Sequence, residues 1–576
     1  MKGSDLHTFL KERLVELLHN KTLDSYRVRY HNALTAISEL IKIVEGWQSF
    51  KVKRAETVKL CSSEVRSILD SDEILIYPKI SKKATLKKLE EFENKLDNKN
   101  SRQELMCTHI VLLLNSILKA NRAQYLDRVF KVIGEILSSE DEIDESNLVN
   151  CLQRIDNLSS ALVRQLLCEG YSKKGLYTIV DSFLKTDNTI DNFNNFRDSI
   201  QGNIGSKYRV ILSVLIKQGA REFTFSKFMR KVNPEFLPTE IEETLTVQVQ
   251  NFIKERYRTR FFIYECVASD GDSAVKMTKK RLSEELDSLH VYLSHLNVEC
   301  QSTAIVIKQE KEGNTLQILP TKIFLDGVYS QEVSKANKFR KKLADINASQ
   351  NVSNDVRERL SSALRHIRIG NNDDEIEQRF INYWIALEYL FSSPRFEEVT
   401  FQRLNQNLTT ILSVNYVKRN LLYLERSLIK AGFIDEKEHI IKENINDVIA
   451  RTTNLLLKYR LLKFNQRLFG NDKDRKAYVM RHESNLHSHL SRIYHLRNEL
   501  IHEAAINQDI EDLTSNLRYY LISVITRIIA FMESYKSSTG NPVTLEEFFY
   551  EMELRKITIE ESWSMEDLMR TFPDDI

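Results

Sequence analysis

Between Leu6 and about Asn251 the apolar residues return at three- and four-residue intervals, as in Leu10, Leu14, Leu17 and Leu18, and again in Leu34, Ile37, Leu40, Ile41 and Val44. Such spacing lines one face of a helix of about 3.6 residues per turn, so residues 1–251 are expected to form a multi-helix region. Polar patches at 69–81, 96–102, 138–146 and 186–205 mark its breaks, and no repeat of fixed period is present.

The pattern changes over 252–332. Arg260–Val267 is dense in aromatic and β-branched residues and reads as a strand. An amphipathic stretch from Ala274 to Leu293 reads as a helix, and Thr303–Gln309 and Thr315–Leu319 flank the glycine-containing loop Glu310–Asn314. Two short runs around such a loop predict a β-hairpin, hence a small α/β module. The helical period returns beyond Ala336 and holds to about Lys536, giving a helical domain over 333–540 with loops at 370–374 and 469–474. A short acidic segment over 541–576 closes the chain. The expected fold class is mainly α: a multi-helix N-terminal region, a small α/β insert and a C-terminal helical bundle.

Composition agrees with this reading. The chain has 576 residues, too many for one ordinary core, and only 15 glycines and 7 prolines, the residues that punctuate strands and phosphate-binding loops. A formal charge of +2 gives no global field for a polyanion or a membrane surface. The six cysteines fit neither a zinc spacing nor a disulfide framework and are expected to be reduced core thiols. Met1–Leu18 carries charges throughout, unlike a signal peptide. The longest apolar runs, His109–Leu118 and Tyr519–Met532 with Arg527 inside it, fall short of the roughly 18 residues a membrane span needs. A cytoplasmic location without membrane contact is the expectation.

Charge is uneven near the C-terminus. Arg451–His502 holds eleven lysines and arginines against four carboxylates, with five histidines, whereas Gly540–Ile576 holds ten carboxylates against three bases. A polyanion suits the first segment, with Arg481, His482, His487, His489 and Arg492 as RNA-contact candidates; solvated helix faces are the plainer account. The acidic end either pairs with that segment in the absence of RNA, or forms amphipathic helices that bury Phe548, Phe549, Trp563 and Leu568.

Inside the basic segment, Tyr494–His502 sets four polar groups in an apolar-periodic helix. At about 100° per residue, His495, Asn498, Glu499 and His502 share one face, while Ile493, Leu496 and Leu500 point to neighbouring helices. Arg497 lies about 140° from His502, so the two meet only if the long guanidinium stem bends, the helix distorts or a second subunit supplies the partner.

Arg497-Asn498 followed after three residues by His502 resembles the Arg-x(4–6)-His signature of the HEPN superfamily. Upstream, Phe380–Leu390 (FINYWIALEYL), with Trp384 and Glu388, resembles the tryptophan-and-glutamate helix of its Apea-like branch. The resemblance covers about Ala336–Lys536. It implies a helical bundle that dimerises so that two motifs face one another, with metal-independent RNA cleavage in many members. It also suggests an antiphage defence or toxin effector whose N-terminal region senses a phage-derived or other trigger, with cellular RNA, possibly tRNA, as substrate class.

The chemistry of the residues is compatible with that activity. RNA carries its own nucleophile, the 2′-hydroxyl, so a cleft needs a base, an acid and a cation for the charge on the phosphorane. His502 titrates near neutrality and suits either proton-transfer role; Arg497 grips phosphate bidentately; Asn498, one turn before His502, can orient the imidazole or bind a phosphate oxygen. His495, Glu499 and Glu388 are supporting candidates, and Trp384 is read as core. His482, His487 and His489 do not share one helix face, so no metal or other cofactor is expected. Gly202–Lys207 reads as a turn into a helix, and Asp270-Gly271-Asp272 as a turn. The rival readings are a non-catalytic HEPN scaffold that binds RNA or protein, and a helical adaptor in which the motif is accidental.

Overall fold

The structure, a computed structural model, describes residues 3–19, 31–52, 54–96, 104–139, 145–218, 229–231, 252, 260–291, 297–309, 314–322, 325, 333–392, 400–502, 510–535 and 540–570. The N-terminal array consists of α1 (Gly3–Leu18), α2 (Ala33–Gln48), α3 (Ala55–Ser71), α4 (Lys82–Lys95), α5 (Glu104–Asn121), α6 (Tyr125–Leu137), α7 (Glu145–Cys168), α8 (Lys173–Leu184) and α9 (Ile190–Asn203). These nine helices share one hydrophobic core. The expected faces of α1 and α2 are the buried ones. α1 lies at the centre: even Lys11 is buried, its ammonium donating to the carbonyls of Thr186 (2.7 Å) and Asp187 (3.1 Å) just past α8.

A five-stranded antiparallel sheet follows: β1 (Ser206–Gln218), β2 (Met229–Lys231), β3 (Arg260–Ala268), β4 (Asn297–Lys308) and β5 (Thr315–Pro320), in the order β2-β3-β1-β4-β5. The expected hairpin is present, with Lys308 opposite Thr315; residues 310–313 of its loop lie outside the described residues. The boundary at 251 needs correction. β1, the central strand, falls inside the stretch expected to be helical, and Gly202–Lys207 turns into a strand. Tyr208, Val210, Leu212 and Val214 pack under α10 (Gly271–His290), and Ile211 packs on the opposite face with Phe252 and Ile305. A strand buried on both faces loses its polar alternation and reads as a continuous apolar run.

Asp270 joins the sheet module to the helical array. Its carboxylate caps α10 through the Ser273 amide (2.7 Å) and also accepts from the amide (2.6 Å) and hydroxyl (3.0 Å) of Ser172, which caps α8. The expected Asp270-Gly271-Asp272 turn thus caps α10 and holds the residue that caps α8.

The C-terminal part is helical: α11 (Val333–Ala348), α12 (Asn354–Asn372), α13 (Ile376–Phe391), α14 (Thr400–Val414), α15 (Tyr416–Lys430), α16 (Ile445–Arg451), α17 (Leu455–Phe464), a π-helical turn (Asn465–Phe469), α18 (Asp472–His502), α19 (Ile510–Ser534), α20 (Leu545–Ser562) and α21 (Met565–Met569). It has two apolar clusters, one around Trp384, Leu490 and Leu521 and one around Leu424, Leu461 and Phe464. No helix among the described residues is long and apolar enough to cross a membrane. None of the six cysteines forms a disulfide among the described residues; Cys61, Cys107 and Cys266 are buried, whereas Cys168 is exposed and so is no core thiol.

The acidic segment belongs to these cores. Phe548 and Phe549 are buried, with Phe549 stacked on Phe391 (5.1 Å) and Phe548 edge-on to Phe531 (5.3 Å); Leu568 and Trp563 pack on the second cluster. A salt bridge from this segment to the basic one runs against the expected polarity, from Lys556 to Glu483 (3.1 Å). Docked helices therefore account for the segment. Truncation after Thr539 removes two core phenylalanines worth about 3–5 kcal/mol each, against a typical total stability of about 5–15 kcal/mol. The truncated chain is expected to unfold or aggregate; a soluble product with unchanged circular dichroism and melting temperature would contradict this packing.

Candidate functional site

The long helix α18 organises the site. Leu486, Leu490, Ile493 and Leu496 are buried, Leu500 packs partly against the same core, and the polar residues of the last turns are left nearer the surface. Across from them α13 presents Trp384, 1% exposed, whose ring meets Tyr494 (5.8 Å) and Phe401 (6.5 Å); Tyr494 and Phe401 are themselves stacked at 3.9 Å. This aromatic contact fixes α13 against the motif end of α18.

One turn beyond Trp384, Glu388 approaches Arg497 with 3.9 Å between Oε1 and Nη2, both side chains partly exposed. Arg497 Nη1 donates to Asn498 Oδ1 at 3.1 Å, so the guanidinium bends round the helix toward its neighbour. His495 and Glu499 face each other at 3.3 Å, the contact expected of an i,i+4 pair. Two polar groups result: Arg497 with Asn498 and Glu388, and His495 with Glu499. The backbone of His502 ends α18, and its side chain lies outside the described residues. The loose 3.9 Å contact leaves the guanidinium able to engage a phosphate, and the Glu499 carboxylate can orient the His495 imidazole. His366 of α12 was not apparent in the sequence; its Nδ1 lies 3.1 Å from Asn382 Oδ1 and its ring stacks on Tyr389, next to Glu388. It comes from another helix, so no spacing along one segment could reveal it.

The residues expected to contact RNA are placed differently. His489 is partly buried, with Nδ1 2.8 Å from the Tyr520 hydroxyl, and burial, with Arg492 and His31 nearby, pushes its pKa down to about 3. Burial also drives His482, stacked on Tyr416 at 3.5 Å, well below its ordinary pKa. His487 lies 3.0 Å from Asn405 Oδ1, its pKa likewise lowered by burial and by Lys556. Neutral, partly buried imidazoles supply no cationic face for a phosphate backbone. Arg481 lines a cavity between the N-terminal array and the bundle. Among the described residues no group of three or more His, Cys, Asp or Glu is placed to hold a metal ion.

Arg492 departs furthest from expectation. It is buried, its Nε donates to both oxygens of Glu39 on α2 at 2.9 Å, and its Nη2 pairs with Glu64 on α3. His31 Nε2 meets the same Glu39 at 2.8 Å. Burial alone would raise the Glu39 carboxyl, but Arg492 and His31 overcome it and hold the group well below its ordinary value; Glu39 and Glu64 likewise raise Arg492 against burial. This network ties the N-terminal array to α18 five residues before Arg497.

In comparisons with models of protein families, with curated proteins and with solved structures, nothing matches this chain.

Because Glu39 is depressed in the folded chain, its stabilising contribution is present above its unfolded value of 4.5 and is lost as pH falls toward the folded value. Glu39→Gln is expected to destabilise the chain at pH 7 by about 3 kcal/mol, since it leaves a buried guanidinium short of charge. Denaturant unfolding of wild type and variant should show that gap narrowing below pH 4.5; a gap independent of pH would contradict an ionised Glu39.

Proposed function

We propose that the C-terminal bundle is a HEPN-type, metal-independent endoribonuclease acting on cellular RNA, with Arg497, Asn498 and His502 as its reacting groups and two copies of the chain forming the active unit. The contact between Arg497 and Glu388 carries this reading. The two segments that resemble the family's motifs lie about 110 residues apart in sequence, and this contact, beside Trp384 against Tyr494, makes them one surface.

In the proposed reaction a histidine takes the proton of the RNA 2′-hydroxyl, whose oxygen attacks the adjacent phosphorus in line. Arg497 balances the charge on the phosphorane, and a second acid gives a proton to the departing 5′-oxygen. The products are a 2′,3′-cyclic phosphate and a free 5′-hydroxyl. Each chain brings one motif histidine, so a two-fold pairing supplies both proton-transfer groups. In this reading the N-terminal region restrains or licenses a defence or toxin effector. His495, held by Glu499, tunes or supports the site.

Arg497→Ala and His502→Ala should each lower RNA cleavage by at least about a hundredfold, since one charge-stabilising or proton-transfer contact is typically worth a few kcal/mol. Asn498→Ala should be milder. Cleavage gels and filter binding on the purified proteins check this. Equal losses of binding and cleavage in Arg497→Ala would make it a phosphate anchor, and wild-type cleavage by His502→Ala would end the proposal in favour of a non-catalytic scaffold.

A further inference from the structure

A cavity of about 900 Å³ separates the N-terminal array from the bundle, walled on one side by α1, α3 and α7 and on the other by α17, the π-helical turn and α18. That volume is in the upper range for small-molecule sites. The carboxylates around it have partners: Glu16 and Asp156 meet Arg13 (2.7 Å each), Glu64 meets Arg492, Glu73 meets Arg154, Asp512 lies 4.0 Å from Arg164, Asp72 accepts from the Tyr125 hydroxyl (2.8 Å), and Asp474 accepts from the Asn471 side-chain amide (2.8 Å). Lys463 and Arg467, in contrast, have no carboxylate within ion-pair distance among the described residues. They lie instead over tyrosine rings, Lys463 5.7 Å from the centre of Tyr459 and Arg467 5.3 Å from that of Tyr478.

The cations converge. Burial and then Arg467 push Lys463 down to about 8, against the pull of Asp156, with a smaller push from Arg481. Like charges gathered beside a cavity repel one another, and a bound anion lowers that cost. Arg467 belongs to the π-helical turn Asn465–Phe469, and such widened turns are frequent at functional sites. Next to these cations is an aromatic wall: Tyr478 packs on Tyr416 (5.2 Å), and Tyr416 stacks face to face with His482 at 3.5 Å. All four residues Lys463, Arg467, Tyr416 and His482 line the cavity.

We propose that this cavity is a binding site for a nucleotide, with the phosphates held by Lys463, Arg467 and Arg481 and the base against the tyrosine and histidine rings of the same wall. Cations alone would suit any phosphate; the adjoining aromatic wall selects a ligand with a planar ring. The walls come from two parts of the chain, so the ligand bridges them, and α18 carries the cavity's Arg481 and His482 at one end and Arg497 at the other. The site stands independently of the nuclease reading.

Isothermal titration of the full-length protein with ATP, GTP, CTP, UTP and pyrophosphate tests it. At least one nucleotide should bind at one per chain, more tightly than pyrophosphate, and raise the melting temperature. The double variant Lys463→Met/Arg467→Met should weaken that binding at least tenfold, whereas Lys463→Arg should retain it. Should the double variant fail to fold, acetylation of Lys463 in the wild type, followed by mass spectrometry, gives the same decision: the bound nucleotide should protect it. Absence of binding by all four nucleotides at millimolar concentration, binding no tighter than that of pyrophosphate, or a Lys463 equally reactive with and without the bound nucleotide would overturn the proposal.

Discussion

A buried guanidinium must be met by carboxylates, and in this chain Arg492 is met by Glu39 and Glu64 from helices more than four hundred residues away in sequence. Much of the architecture around α18 follows from that requirement. The charge cannot be left unpaired without a penalty of several kcal/mol, so α2 and α3 are held against α18 in one arrangement. That arrangement also sets the cavity between the two parts, since Arg492 and Glu64 belong to its lining. The same helix then continues past the joint to Arg497 and Asn498, where its polar side chains face α13 and the surface.

How far the sequence reveals this structure depends on which physical signal each part carries. α2 is evident because Leu34, Ile37, Leu40, Ile41 and Val44 bury one face and leave a polar one. β1 is not, because Tyr208–Val214 is buried on both sides and its period of two vanishes. The hairpin of β4 and β5 is recognisable, since β5 is partly exposed and the sequence between the two strands includes a glycine. The segment after Gly540 looks like a charged tail in composition, yet the position of Phe548, Phe549 and Leu568 among its acids decides its fate.

The candidate site follows the same logic. The helical wheel of Tyr494–His502 anticipates the His495–Glu499 contact and the burial of Ile493 and Leu496, because both are properties of one helix. It cannot anticipate that Arg492 turns inward, since the carboxylates that meet it lie in another part of the fold. Net charge misled for a related reason: of the positive residues in Arg451–His502, Arg492 and Arg460 are met by internal pairs with Glu39, Glu64 and Glu16, and the histidines His482, His487 and His489 are partly buried with their pKa values lowered. Two of the eleven bases of the segment, Arg460 and Arg492, thus join the two parts of the chain, Arg451 and Arg475 pair with nearby carboxylates, and Lys463, Arg467 and Arg481 line the cavity.

RNA cleavage through the 2′-hydroxyl at the Arg497 end of α18 is the central functional claim, and the ends of the products test it most directly. Purified protein incubated with RNA in excess chelator should leave a 2′,3′-cyclic phosphate or its opened 3′-phosphate opposite a 5′-hydroxyl, and a 2′-deoxy nucleotide at the scissile position should block the cut. Cleavage that requires a divalent cation, that leaves a 5′-phosphate, or that proceeds at the 2′-deoxy position would contradict the account.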